Sequence, residues 1–195
     1  MVSILGEYSY TFPKPIPLKL KLKDMLDDNV NEKYYLSDKQ IQDIQNWNAY
    51  EKPLENMEKT DKSNISPTLT TRSGAYAAGM ILIKNATKKG YLEATDGDGI
   101  DLSMPNSETR RGRVQKDSIQ TLTTQNNLGV VSDLRIRKLT PRECFRLMGV
   151  KDEDYEKCAK NQSDASLYHL AGDSIVVNVL MAIFKELIGD DNESR

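Results

Sequence analysis

Apolar residues at the start of the chain fall in a strand-like pattern. Met1-Val2-Ser3-Ile4-Leu5 is a short apolar run, and Tyr8, Tyr10 and Phe12 then recur at every second position, the period of a half-buried strand. Pro13, Pro15 and Pro17 end it, because each removes a ladder donor. A chain that opens in mid-strand predicts a sheet completed by another polypeptide; the alternative is an edge strand of its own sheet. Leu22, Met25 and Leu26 predict a short helical turn. Ser37-Asp38-Lys39-Gln40 has the form of a capping box, with Ile41, Ile44 and Trp47 following at helical spacing. From Lys52 to Ser66 the apolar periodicity is lost, which predicts a loop or linker.

The middle of the chain contains an internal echo. Thr68-Leu69-Thr70-Thr71 recurs as Thr121-Leu122-Thr123-Thr124, and each copy precedes a glycine and an apolar stretch, Met80-Ile81-Leu82-Ile83 and Val130-Val131. Threonine alternating with leucine suits strands, so two similar hairpins are expected. Gly90, Gly97, Gly99 and Gly112 punctuate the same region, and residues 66–132 read as a small, turn-rich β domain.

The last third is helical. Thr140-Pro141-Arg142-Glu143 combines an N-cap threonine, a proline at N1 and a glutamate at N3. Phe145, Leu147 and Met148 give that helix an apolar side, and Gly149 ends it. Ser163 is expected to cap a second helix through Leu170, ended by Gly172. A final helix from about Ile175 to Ile188 carries Val176, Val179, Leu180, Ile183, Phe184 and Leu187 on one broad stripe, which must be buried against something.

Composition narrows the function classes. Hydrophobic residues make up 38% of the 195 and charged residues 29%, which places the chain among globular rather than disordered sequences. The net charge of -2 provides no global field for DNA, so nucleic-acid binding requires a local basic patch. Two such patches exist: Arg110-Arg111-Gly112-Arg113 with Lys116, and Lys88-Lys89 with Lys84. Guanidinium forks suit phosphates and guanine edges, and a glycine lets backbone approach the duplex. The two cysteines, Cys144 and Cys158, suit neither a disulfide framework nor a zinc site, and point to a reducing, cytoplasmic setting. His169 is the only histidine, so no metal site is expected and a structural role is assigned to it. Neither a signal peptide nor a membrane span is expected from the hydropathy pattern. Gly97-Asp98-Gly99 follows no convincing strand pattern and opens no helix, so it is not a dinucleotide fingerprint.

Arg137-Lys138-Leu139-Thr140-Pro141-Arg142-Glu143-Cys144-Phe145-Arg146-Leu147-Met148-Gly149 closely resembles the ninth conserved block of DNA (cytosine-5) methyltransferases. Ala171-Gly172-Asp173-Ser174-Ile175-Val176-Val177-Asn178-Val179-Leu180, about twenty residues on, is similar to the tenth. The opening strand resembles the tail of the eighth block, so the resemblance covers essentially the whole chain. It implies that the region before the ninth block is a target recognition domain, and that the tenth block returns to the catalytic domain beside the S-adenosylmethionine pocket. The family usually has asparagine where this chain has Asp173. An ionised aspartate can only accept hydrogen bonds, which disfavours contact with the cofactor's own carboxylate; Ser174 is the other candidate.

Carbon-5 methylation needs a thiolate nucleophile, a glutamate on the flipped base and a bound methyl donor. The family supplies them from a Pro-Cys turn, a Glu-Asn-Val segment and a glycine-rich loop. Cys144 follows Glu143 and Cys158 follows Lys157, and Glu55-Asn56-Met57 is only an echo of the glutamate segment. Both cysteines are therefore expected to be packing residues.

The expectation is an α+β chain: a small β recognition domain, then helices that pack on a catalytic α/β domain this chain lacks. Residues 1–50 would complete the catalytic region, 51–134 would read DNA, and 135–195 would return to the catalytic domain. The resemblance implies the DNA-recognition portion or subunit of a methyltransferase, inactive alone. Its partners would be double-stranded DNA and a catalytic chain, not a membrane, with S-adenosylmethionine bound only alongside that chain. The alternatives are a non-catalytic DNA-binding remnant or decoy, or a truncation of a complete enzyme. Candidate DNA contacts are Arg110, Arg111, Arg113, Lys116, Lys88 and Lys89, and candidate cofactor contacts are Asp173 and Ser174.

Overall fold

The computed structural model describes residues 11–15, 17, 19–45 and 80–188. The opening apolar run, Trp47, the 52–66 linker, Glu55-Asn56-Met57 and the first Thr-Leu-Thr-Thr copy fall outside them. Phe12 falls inside and belongs to no strand.

Residues 19–45 form a strap. A 3-10 turn at Leu22–Met25, as the apolar spacing predicts, is followed by a second at Glu32–Tyr34 and by α1 (Asp38–Ile44). The predicted capping box is present: Gln40 Oε1 accepts from the Ser37 amide at 3.0 Å.

The apolar run at Met80 delivers β1 (Ile81–Lys84), paired antiparallel with β2 (Tyr91–Ala94). Then come β3 (Gly99–Asp101), β4 (Val114–Gln115), β5 (Leu128–Ser132) and β6 (Arg135–Lys138). They form an antiparallel sheet in the order β4-β3-β5-β6. Asp133 and Leu134, at φ 52° and 60°, make the two-residue turn between β5 and β6, the handedness that right-twisted strands accept. The strap covers the free edge of β6: the Leu36 amide donates to the Ile136 carbonyl at 3.1 Å, and Tyr35 bridges Arg137.

The second Thr-Leu-Thr-Thr copy corrects the hairpin expectation, because Thr121–Thr124 is irregular chain rather than strand. Its course is set by a helix of the last third. That third holds α2 (Pro141–Leu147), α3 (Asp152–Ala159), α4 (Asp164–Asp173) and α5 (Val177–Ile188). α4 runs past the expected stop at Leu170 and includes Gly172. A Cβ there would sit 2.4–2.5 Å from backbone atoms of Thr123 and Thr124, so only glycine lets the segment lie against the helix. Tertiary contact overrides strand propensity here.

β5 divides two cores, since successive side chains leave opposite faces of a strand. Leu128 and Val130 face Leu139, Cys144 and Phe145, together with Leu167, Tyr168 and Ala171 of α4. Val131 faces Ile81, Ile83 and Ala94 of the hairpin, with Ile100, Ile136, Leu36 and Ile44. The expectation that the C-terminal helices pack on a missing domain is thus corrected for α2 and α4, which pack on this chain's own sheet.

α5 is different. Val176, Leu180, Ile183 and Leu187 are half-buried, whereas Val179, Met181 and Phe184 are 51–64% exposed. Asp164–Leu187 has the length and mean hydropathy, 1.6, of a membrane-crossing stretch. It is nonetheless two helices, broken at residues 174–176, and Leu167, Tyr168 and Ala171 of the first are buried in the chain's own core.

Candidate nucleic-acid interface

The two basic patches, twenty residues apart in sequence, are docked side by side. The loop joining β1 to β2 carries Lys88 and Lys89, and its stem holds the arginine run through three hydrogen bonds. The Ala86 amide donates to the Arg110 carbonyl at 2.9 Å, Arg111 Nε donates to the Ala86 carbonyl at 2.9 Å, and the Gly112 amide donates to Asn85 Oδ1 at 2.9 Å. Gly112 adopts φ +67°, which a side chain would disfavour. The product is one ridge carrying Lys88, Lys89, Arg110 and Arg111.

The ridge is less cationic than its sequence suggests. Arg110 donates from Nε (2.8 Å) and Nη2 (2.5 Å) to Asp101 Oδ2, and that carboxylate is 1% exposed. Burial alone would raise the Asp101 pKa, but hydrogen bonds from Ser103 and Arg110 outweigh it and hold the carboxyl below its usual range. Lys89 pairs with Glu93 at 2.5 Å and lies over the Tyr91 ring. Lys116 is spent on Asp98 at 2.6 Å, where the carboxylate also caps the Thr95 turn. Lys88 and Arg111 are exposed and make no ion pair among the described residues.

Arg113 corrects the expectation of DNA contact. It is fully buried, and its guanidinium donates to the carbonyls of Asp101 (3.4 Å), Ser103 (2.8 Å) and Met104 (2.5 Å). Burial pushes its pKa down. Its place beside Val114 in the β3–β4 ladder puts it under the surface, shaping the loop above.

Beneath the sheet lies a second polar centre that sequence reasoning saw only as a helix cap. Thr140 Oγ1 accepts from the Glu143 amide at 3.2 Å, and Glu143 Oε2 accepts from the Thr140 amide at 2.7 Å, completing the predicted box. The same carboxylate also takes both Nη groups of buried Arg137 and the Asp27 amide. Arg146 then ties α2 to Asp27 and Asp152, and these two carboxylates raise its pKa, the Asp152 hydrogen bond most. Strap, sheet and α2 are locked together at this point.

The cysteines and the tenth-block residues sit on the helical side. Cys144 is buried, and its thiol is pushed up to about 12 by burial, with the Glu143 charge adding to the effect. Cys158 is exposed on α3. Asp173 ends α4, exposed, 2.9 Å from His169 Nδ1. Ser174 Oγ donates to the Ala171 carbonyl at 2.8 Å. The Ser174 hydroxyl proton is thereby engaged within the helix end. Among the described residues no cluster of metal-ligating side chains occurs.

The model of the C-5 cytosine-specific DNA methylase family matches residues 3–189. The chain belongs to that family. Among curated methylases it is 32% identical to the orphan methyltransferase M.SPRI of Bacillus phage SPR, over 86% of this chain and 49% of that protein. It is 29% identical to the orphan methyltransferase M.SPBetaI of Bacillus phage SPbeta, over 94% of this chain and 46% of that protein. To the type II methyltransferase M2.ScrFI of Lactococcus lactis subsp. cremoris the identity is 30%, over 95% and 39%. The chain therefore spans half or less of the length of these relatives.

Two features of this candidate interface were not read from sequence. The docking of the hairpin loop on the arginine run depends on Asn85, which carries no motif. The burial of Arg113 had one available signal: it directly precedes the β-branched Val114, at the entry to a strand.

Proposed function

We propose that this chain is the DNA-recognition portion or subunit of a DNA (cytosine-5) methyltransferase, providing target reading and part of the cofactor-pocket scaffold to a catalytic chain. The observation that carries this reading is the ridge of Lys88, Lys89, Arg110 and Arg111, which two separate loops build on the hairpin core of a DNA methylase. Local positive charge on a chain of net charge -2 is what duplex binding requires.

Neither cysteine is offered for nucleophilic attack. Cys144 is held protonated inside the helical core, and a thiol, unlike a thiolate, is a poor nucleophile. Cys158 lies on a helix, not in a Pro-Cys turn. S-adenosylmethionine would be held by the catalytic chain, with Asp173 and Ser174 at most at its edge. Met181 and Phe184, three residues apart on one side of α5 and exposed, are part of the surface that the catalytic chain would cover.

Duplex binding measured at several salt concentrations tests the reading. Phosphate contacts at Lys88 and Arg111 should each contribute roughly 0.9 to the log–log salt slope. A Lys88→Ala, Arg111→Ala double variant with unchanged affinity and slope would remove the ridge from the DNA interface.

A further inference from the structure

The segment that leads into the arginine run is a hydrogen-bonded loop with an exposed apolar residue. Between β3 and β4 the chain passes through Leu102 to Arg110, and Met104 stands 71% exposed at φ +46°. A left-handed conformation is rare for a methionine and is held only where surrounding structure imposes it. Here two buried groups impose it. Arg113 grips the Ser103 and Met104 carbonyls from below, at 2.8 and 2.5 Å, at the expense of burying a cation whose Nε finds no partner. The Asp101 carboxylate grips the other side, accepting from the Ser103 amide (2.9 Å) and hydroxyl (2.5 Å) while also binding Arg110. Pro105, next in sequence, lines an open cleft with Leu102, Asn126, Asn127 and Lys138. Glu108 is the loop's only acidic side chain.

The exposed Met104 tip is joined to the ridge through Asp101, which binds both Ser103 and Arg110. We propose that Met104, with Pro105 behind it, is a wedge that presses against a base step of the duplex gripped by that ridge. Methionine and proline are among the side chains that partly unstack a step in this way, and phosphate contacts beside the wedge offset the unstacking. Arg113 and Asp101 are positioning residues: they touch no DNA and fix the tip. The inference rests on the DNA-recognition reading and adds to it a residue that distorts the duplex rather than neutralising it.

The test uses the full chain with a mixed-sequence duplex carrying a fluorescent adenine analogue, at low salt, in the absence of a catalytic chain. Wild type should bind and raise the analogue's fluorescence by unstacking it. Met104→Ala should bind with the wild-type salt slope and lose the rise, Met104→Leu should keep it, and Lys88→Ala with Arg111→Ala should lower the slope. Unchanged thermal unfolding of the Met104 variants shows that the fold is intact, as expected for an exposed tip. A Met104→Ala variant that retains the full rise overturns the wedge, as does wild-type binding with no rise, and both leave the recognition reading standing. Absence of any duplex binding by wild type removes the recognition reading itself, and the wedge with it.

Discussion

Arg137 and Glu143 meet as a two-pronged ion pair, Nη1 to Oε2 at 2.8 Å and Nη2 to Oε1 at 2.7 Å, with both side chains at most 1% exposed. The Glu143 carboxylate also holds the Thr140 and Asp27 amides, so three parts of the chain depend on it. Glu143→Ala strands a buried guanidinium and two amides, and should destabilise by about 3–5 kcal/mol. Arg137→Met combined with Glu143→Leu should recover only part of that, because the two amides stay unsatisfied. Urea unfolding of the three proteins checks the order.

Gly172 and Thr123 touch through backbone. Gly172→Ala puts a methyl where Thr123 and Thr124 already lie, so α4 or the 121–127 segment must move. A loss of about 1–3 kcal/mol is expected, as for other overpacked contacts. Gly112→Ala, whose Cβ meets nothing within 4 Å, suffers only from its positive φ, and comparing the two by thermal unfolding separates crowding from backbone strain.

Thiol labelling reads the two cysteines directly. With Cys144 buried and pushed up to about 12, the native chain should expose one reactive thiol. That thiol is Cys158, and both should react after unfolding. Rapid labelling of Cys144 in the native chain would show that the helical core is open.

The acid limb of stability reports on Asp101. Its pKa in the folded chain lies below the ordinary 3.8, so folding favours the ionised form. The contribution is fully present above that ordinary value and is lost as pH falls through the lower, folded one. Asp101→Asn should be less stable than wild type at neutral pH, and the gap should close as pH drops below about 3.8. A gap that widens in acid would reverse the sign assigned here.

Local signals carried much of this far. The Thr140-Pro141-Arg142-Glu143 cap, the strand at Met80 and the capping box at Ser37 were legible because each depends on neighbours within four residues. The features that failed depend on distant partners. Thr121–Thr124 has strand propensity but lies where Gly172 admits it. Arg113 belongs to a basic run yet turns inward because three carbonyls from residues 101–104 converge on it. Lys116 is neutralised by Asp98, eighteen residues away. In the final helix the periodicity showed an apolar stripe, and only the structure shows which side of it remains exposed.

Methyl transfer tests the central claim most directly. The chain should be incubated with duplex DNA and radiolabelled S-adenosylmethionine, alone and together with a catalytic part supplied from a related methylase. No incorporation is expected from the chain alone. With the catalytic part, incorporation is expected, and it should fall when Lys88 and Arg111 are replaced by alanine. Incorporation by the chain alone that persists in a Cys144→Ala, Cys158→Ala double variant would contradict the claim.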